Sequence, residues 1–306
     1  MKVLRHPRGS GRGTAIAIGS FDGVHLGHQA LIAHTVKAAR SRGLAAATLS
    51  FEPLPREHFA PQEAPARLTS LGERLHWMAE GGIEAAFVQR FDAAFAALTG
   101  EEFEQRLAGE YGARWIMVGE DFRYGARRGG DLASLRAAGA RLGFEVRVLP
   151  AVTREGERVS STRVRAALAG ADFAEAARLL GRPYSICGHV MHGAKRGRDL
   201  GFPTANVRLA RAKPAVQGIF AVKCYGAATR GLEGVASLGI NPAVSHGGPA
   251  TLEAFLFDFS GDLYGRRLTI ELHKKLREET HFASLDALAA QIRRDCEAAR
   301  EHFRML

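Results

Sequence analysis

Cysteine is scarce: Cys187, Cys224 and Cys296 are the only three in 306 residues, and no two form a C-x-x-C pair. That excludes a disulfide framework and a zinc ribbon. Long apolar runs are missing too, since no stretch approaches the roughly 18 residues that cross a bilayer. The basic N-terminus, MKVLRHPRGSGRGTAIAIGS, has only a short apolar segment before Gly19 and makes a poor secretory signal. A cytoplasmic protein is expected. No G-x-x-x-x-G-K-[ST] motif occurs, so any phosphate must be held by another device. Blocks of like charge are absent as well. The net charge of +10 divides evenly, with 25 basic and 20 acidic residues up to position 182 and 17 and 12 after it. Such a spread suits polyanionic small molecules as well as nucleic acid, whereas a basic nucleic-acid-binding protein would want clustered charge or interleaved aromatics. Apolar residues at 46% and charged residues at 24% are ordinary for a globular chain and exclude disorder.

The chain holds about two domains' worth of sequence, and its grammar changes near Gly181-Arg182-Pro183. Before that point, short apolar runs (residues 14–19, 45–51, 85–89, 115–119 and 144–149) alternate with helical patterns. One such helix ends at Gly43; another opens on a Thr99–Glu102 capping box. Alternation of this kind predicts a parallel sheet covered on both faces, a doubly wound α/β domain over residues 1–182. After it, residues 185–190, 218–225, 232–238, 251–258 and 267–272 are short strand-like runs separated by Gly, Pro and Asn. They predict a small antiparallel β-barrel over residues 183–306. A terminal helix follows, with Ser284 as its cap and Leu285, Leu288, Ile292, Cys296 and Phe303 as its apolar stripe.

Directly after the first strand stands Gly19-Ser20-Phe21-Asp22-Gly23-Val24-His25-Leu26-Gly27-His28. Ligands of open α/β sheets bind at the carboxyl ends of strands. Glycines there let backbone N–H groups approach an anion, and the next helix offers its positive end. His25 and His28 both reach that end and are suited to stabilising charge on a phosphate in flight. An ordinary turn with two solvated histidines is the competing reading. Two later segments fit the same kind of site. Val118 to Gly125, with Arg127, Arg128 and Asp131, lies at a strand end. Ser160-Ser161-Thr162-Arg163-Val164-Arg165 opens a helix, although hydroxyls there also serve as simple N-caps.

In the second half, Gly188 to Asn206 runs GHVMHGAKRGRDLGFPTAN. Its glycines with Lys195, Arg196 and Arg198 can wrap a phosphate, or form only a basic surface hairpin. Thr204 and Asn206 alternate along an extended segment, so a hydroxyl and an amide oxygen share one side, as a Mg2+ ion that keeps its waters would use. Cys187, His189 and His192 lack the fourth ligand that a zinc site needs. Glu253 lies in the apolar run TLEAFLFDF, sharing a face with Phe255, Phe257 and Phe259. A carboxylate on such a face is costly to bury and is either a satisfied structural group or a general base.

The order GSFDGVHLGH, SFEPLPRE, VGEDFRYGARRGGD, SSTRVR resembles the nucleotidyltransferase half of the bifunctional prokaryotic riboflavin kinase/FAD synthetase family. Gly188 to Asn206, with GIFAV, GVASLG, Asn241-Pro242, Leu252-Glu253, DLYG and LREE, resembles its kinase half. Leu54 stands where a His is common, Ala243 where a Thr is usual, and Ala254-Phe255 where Val-His is common. The resemblance implies riboflavin phosphorylation to FMN by the C-terminal half, and adenylylation of FMN to FAD, with release of pyrophosphate, by the N-terminal half. ATP is then co-substrate, Mg2+ the metal, and no nucleic acid or membrane is a partner. It implies catalytic roles for His25, His28 and Glu253, the last as base for the ribityl 5′-hydroxyl. Gly19, Phe21, Asp22, Gly23, Asp121, Arg128, Ser161, Thr162, Arg163, Gly193, Lys195 and Gly201 would hold ATP and its phosphates. Asn241 and Arg277 would hold flavin, and Thr204 and Asn206 metal. A related nucleotidyltransferase with another phosphate-bearing acceptor is the nearest rival, but it has no use for a kinase barrel.

Overall fold

The computed structural model describes residues 1–5, 11–192, 201–211, 213–240 and 250–305. Gly193, Lys195, Asn241 and Ala243 lie outside the described residues. The chain divides into two compact units: Met1–Pro65 with Leu71–Ser160, and Ala66–Ser70 with Ser161–Leu306.

The first unit runs β1 (Lys2–Leu4), β2 (Thr14–Ile18), α1 (Leu26–Arg42), β3 (Ala45–Glu52), α2 (Pro55–Phe59), α3 (Leu71–Glu80), β4 (Ala85–Arg90), α4 (Ala93–Ala96), α5 (Gly100–Gly109), β5 (Ala113–Gly119), α6 (Leu132–Leu142) and β6 (Glu145–Leu149). A short hairpin, β7 (Thr153–Arg154) and β8 (Glu157–Arg158), closes it. The main sheet is all parallel, in the order β1-β4-β3-β2-β5-β6. Side chains alternate across it. Ile16 and Ile18 enter one core with Phe103, Leu107 and Leu135 of α5 and α6. Ala15 and Ala17 enter the other with Ile32 and Val36 of α1 and Met78 of α3. Both faces are therefore covered, which is why β2 reads as an unbroken apolar run. Gly43 ends α1 in the left-handed region at φ 67°. Thr99 and Glu102 cap α5 reciprocally.

β2 is the switch point. The chain leaves it toward β3 on one side and returns beside it as β5 on the other, so the loops that follow β2 and β5 part above a crevice.

The second unit begins with α7 (Ser161–Ala169) and α8 (Phe173–Leu180). Six strands follow: β9 (Ser185–Met191), β10 (Thr204–Arg208), β11 (Gly218–Tyr225), β12 (Leu232–Ile240), β13 (Ala250–Leu256) and β14 (Arg267–Arg277). They close an antiparallel barrel in the order β10-β13-β12-β11-β14-β9. The terminal helix α9 (Leu285–Arg304) packs on the outside, over Ile219, Ala221, Val235 and Phe257. Ser284 caps it, accepting from the Ala287 N–H at 3.2 Å. The expected stripe is corrected at its start: Leu285 is 67% exposed, while Cys296 and Phe303 do pack. Phe173 of α8 meets the fully buried Phe220 edge-on at 5.8 Å. Residues 161–180 thus belong to the same unit as the barrel, although they precede residue 183. Among the described residues, no helix is long and apolar enough to cross a membrane.

Candidate active sites

The turn after β2 is unusual backbone. Phe21, Gly23 and Val24 have φ of 54°, 84° and 43°, and the Val24 N–H donates to the Phe21 carbonyl at 3.1 Å. A β-branched residue in the left-handed region is strained, and such strain gathers where geometry serves function. Phe21, Asp22, Val24 and His25 are all buried. His25 is the N-cap residue of α1. Its ring stacks on that of His28, with centroids 3.7 Å apart and planes at 21°. Phe21 borders His28 at 5.2 Å. Among the described residues, the buried His28 Nδ1 has no hydrogen-bond partner. Burial first, then the His25 ring and the Arg74 and Arg158 guanidiniums, hold the His28 imidazole well below its ordinary pKa. At neutral pH, His28 is an uncharged imidazole.

The loop after β5 and the β7–β8 hairpin converge through an ion pair. Arg158 Nη2 donates to Asp121 Oδ1 at 3.0 Å, and this bond holds the Asp121 carboxyl below the usual carboxylate range. Tyr124 anchors the loop by donating to the buried Glu104 carboxylate at 2.6 Å. Arg127 and Arg128 are exposed and left-handed, at φ 52° and 59°. The structure thus brings together His25, His28, the turn Gly19–Gly23 and the Arg158–Asp121 pair in one unit. Ser161, Thr162 and Arg163 open α7 in the other unit, where Arg163 Nη2 donates to Glu175 at 2.7 Å.

Two features escaped the sequence. Arg74, 1% exposed, lies at the turn: its Nη1 donates to the Ser20 carbonyl at 2.8 Å and its Nη2 to the Glu52 carboxylate. An aromatic group also gathers at the ends of β3 and β4. Phe91 lies 5.5–5.7 Å from Phe51, His58, Phe59 and Phe95, and Phe59 is 66% exposed. Phe59 is the exposed ring of this group, with Phe51, His58 and Phe91 half-buried behind it. Leu54, buried, is the N-cap residue of α2, and its N–H donates to Glu57 at 2.9 Å.

On the barrel, pairing settles the second constellation. Asn206 of β10 stands directly opposite Glu253 of β13, and Glu253 directly opposite Ser237 of β12. Opposed residues share a face, with Cα atoms about 4.5–5.5 Å apart. Thr204, two residues from Asn206, shares it too. The burial argument for Glu253 is corrected here. Leu252, Ala254 and Leu256 fill the barrel, and Glu253 points outward, exposed. No burial cost attaches to its charge. Thr204 and Asn206 are half-buried on the same outer surface. Ser237 donates to Glu279 at 2.7 Å. Gly239 leaves room for that carboxylate, because a Cβ there would fall 2.1 Å from Glu279 Oε2.

Arg277 is engaged by α9: its Nε and Nη2 donate to the buried Asp295 carboxylate at 3.0 and 2.8 Å. Gly201 has φ +83°. Cys187, His189 and His192 turn to separate partners: Thr269 Oγ1 at 3.1 Å, the Gly265 carbonyl at 3.1 Å and the Tyr264 ring at 3.8 Å.

Paired imidazoles at a switch point in one unit, and a barrel bearing a carboxylate–amide–hydroxyl row in the other, define a two-site, nucleotide-handling transferase. Residues 8–163 match the FAD synthetase family model and residues 180–303 the riboflavin kinase model. The chain is 46% identical over 292 residues to the bifunctional riboflavin kinase/FMN adenylyltransferase of Escherichia coli K12, covering 95% of this chain and 93% of that one. The Pseudomonas fluorescens protein of the same name is 44% identical, covering 98% and 96%. That of Haemophilus influenzae is 39% identical, covering 99% of each. A crystal structure named as a macrolide-efflux protein of Streptococcus pneumoniae superposes with a TM-score of 0.79 at 30% identity, covering 97% and 98%. The chain belongs to the bifunctional riboflavin kinase/FMN adenylyltransferase family.

Proposed function

We propose that the two halves catalyse consecutive steps, riboflavin to FMN and FMN to FAD, each with ATP, with the catalytic modules dividing near residue 182. The observation that carries this is the co-occurrence in one chain of the stacked His25–His28 pair and the Asn206–Glu253–Ser237 row.

In the kinase step, Glu253 accepts the proton of the ribityl 5′-hydroxyl as its oxygen attacks the γ-phosphorus of ATP. The γ-phosphorus–oxygen bond breaks and ADP leaves. An outward, solvated carboxylate suits a base that must meet substrate. The Thr204 hydroxyl and the Asn206 amide oxygen are hard oxygen donors on one face, and this pair fits a Mg2+ ion that keeps most of its waters. When bound, Mg2+ supplies charge neutralisation on the transferring phosphates. Thr204 and Asn206 would hold it. Gly193, Lys195 and Gly201 cover the phosphates in this reading. Asn241 and Arg277 serve the flavin, Arg277 while held by Asp295.

In the second step, an FMN phosphate oxygen attacks the α-phosphorus of ATP and the bond to pyrophosphate breaks. The nucleophile is already anionic, so no general base is needed. Neutral His28, with His25, donates hydrogen bonds to the charge that builds on the α-phosphate oxygens. Gly19, Phe21, Asp22, Gly23, Asp121 and Arg128 hold the nucleotide. Ser161, Thr162 and Arg163 take the leaving pyrophosphate, for which Arg163 exchanges its Glu175 partner. The flavin ring lies on the aromatic platform at Phe51, Phe59 and Phe91. The chemistry calls for neither nucleic acid nor membrane, and the protein acts in the cytoplasm.

One incubation with riboflavin, ATP and Mg2+, with FMN and FAD separated chromatographically, tests the proposal. Both products should accumulate, FMN first. FMN without FAD, or FAD only from supplied FMN, would remove one of the two activities.

A further inference from the structure

A buried guanidinium persists only where acceptors replace its water. Arg74 meets that condition at a particular place. Its Nη1 donates to the carbonyls of Ser20 at 2.8 Å and Phe51 at 3.4 Å, and its Nη2 to Phe51 at 3.4 Å and to the Glu52 carboxylate. Ser20 opens the strained turn that leads to His25 and His28. Phe51 is the penultimate residue of the neighbouring strand β3 and belongs to the aromatic group. Seating α3 does not require a cation, because Met78, one turn further on, is fully buried in the core. Only a planar fork reaches two carbonyls and a carboxylate together; an ammonium is a point.

We propose that Arg74 is a positioning residue for adenylyl transfer, clamping the turn that carries the two histidines to the strand end that carries the flavin platform. It touches no substrate. The proposal rests on the adenylyltransferase reading of this unit. Its charge has a second effect, since it is one of the groups that keep the His28 ring neutral, with His25 and Arg158. Glu52 offsets Arg74, and Asp121 offsets Arg158.

The test uses the full chain, three variants of the clamp and His28→Ala as a reference. Arg74→Lys keeps the charge and loses the fork, Arg74→Met loses both, and Glu52→Gln removes only the counter-charge. Three quantities are read: kcat and KM for FAD formation from FMN, FMN formation from riboflavin in the same preparation, and the His28 titration by NMR. The His28 signal is assigned by its loss in His28→Ala. Arg74→Lys should lower kcat for FAD formation about 10–100-fold, the scale of a slightly misplaced group, with FMN formation unchanged. Arg74→Met should add an upward shift of about half a pH unit or more in the His28 titration. Glu52→Gln should shift it downward. Wild-type kcat in Arg74→Lys overturns the proposal. So does equal loss of both activities, which makes Arg74 a folding residue. Should Arg74→Met not fold, an upward or absent shift in Glu52→Gln overturns the electrostatic part. A wild-type chain that makes no FAD overturns the underlying reading instead.

Discussion

The rings of His25 and His28 stack with centroids 3.7 Å apart over a residue 27 that has no side chain: a Cβ on Gly27 would fall 3.1 Å from Cε1 of His25 and push that ring by a few tenths of an ångström. The H-x-G-H spacing is thus a packing requirement as well as a sequence signature. Sequence links here to site geometry through one missing methyl group.

Gly27→Ala should therefore separate activity from stability. Alanine is the better helix former by roughly 1 kcal/mol, so the melting temperature should hold or rise. The displaced His25 ring should cost FAD formation about tenfold or more. Parallel melting curves and FAD assays check this, with FMN formation as the internal reference.

His28 also predicts a pH dependence. Its folded pKa is depressed, while the unfolded chain binds a proton near the ordinary value of 6.5. Between those two values the unfolded state holds more protons, so stability rises with pH. Acidification from about pH 6.5 downward should destabilise the protein through this group. His28→Gln should flatten that slope when denaturant midpoints are measured from pH 7 to 5.

Fragments test the division of the chain. A piece from Pro183 to Leu306 loses Phe173, Leu179 and Leu180, all buried, and uncovers Phe220. Burying one such side chain is worth about 1.5–3 kcal/mol. A fragment from Ser161 should be the more stable of the two by several kcal/mol, and both should phosphorylate riboflavin if soluble. Urea unfolding with a kinase assay decides it.

The aromatic platform makes a further prediction. Phe59→Ala should raise KM for FMN in FAD formation about tenfold, the worth of one aromatic contact, with kcat nearly unchanged. Because Phe59 is 66% exposed, stability should not move. Steady-state kinetics with varied FMN reads the split.

Much of this architecture was legible because local patterns agreed with it. Unbroken apolar runs gave β2 and β5, Gly43 stopped α1, and the Thr99–Glu102 box started α5. Glycine-punctuated runs gave the barrel strands. β1 was missed because three residues at a sheet edge carry no period. Glu253 shows a deeper limit. Alternation placed it with Phe255 and Phe257, but the opposite parity (Leu252, Ala254, Leu256) is equally apolar. Parity then cannot say which face is inside, and α9 covers Phe257 from without. Arg74 was hidden for the reverse reason. In LGERLHWM a charged residue on a helix reads as solvated, and only the neighbouring carbonyls show otherwise.

The central claim, two chemistries on two separate constellations, is tested most directly by crossing two variants with two substrates. His28→Ala and Glu253→Gln are each given riboflavin or FMN, with ATP and Mg2+, and FMN and FAD are scored separately at saturation. His28→Ala should make FMN normally and lose FAD formation by ~100–1,000-fold, as for one lost transition-state donor. Glu253→Gln should lose FMN formation by roughly 100–10,000-fold, while converting supplied FMN to FAD at the wild-type rate. Its melting temperature should be unchanged, because Glu253 is exposed. Normal FAD formation by His28→Ala, or normal saturated kinase turnover by Glu253→Gln, would contradict the account.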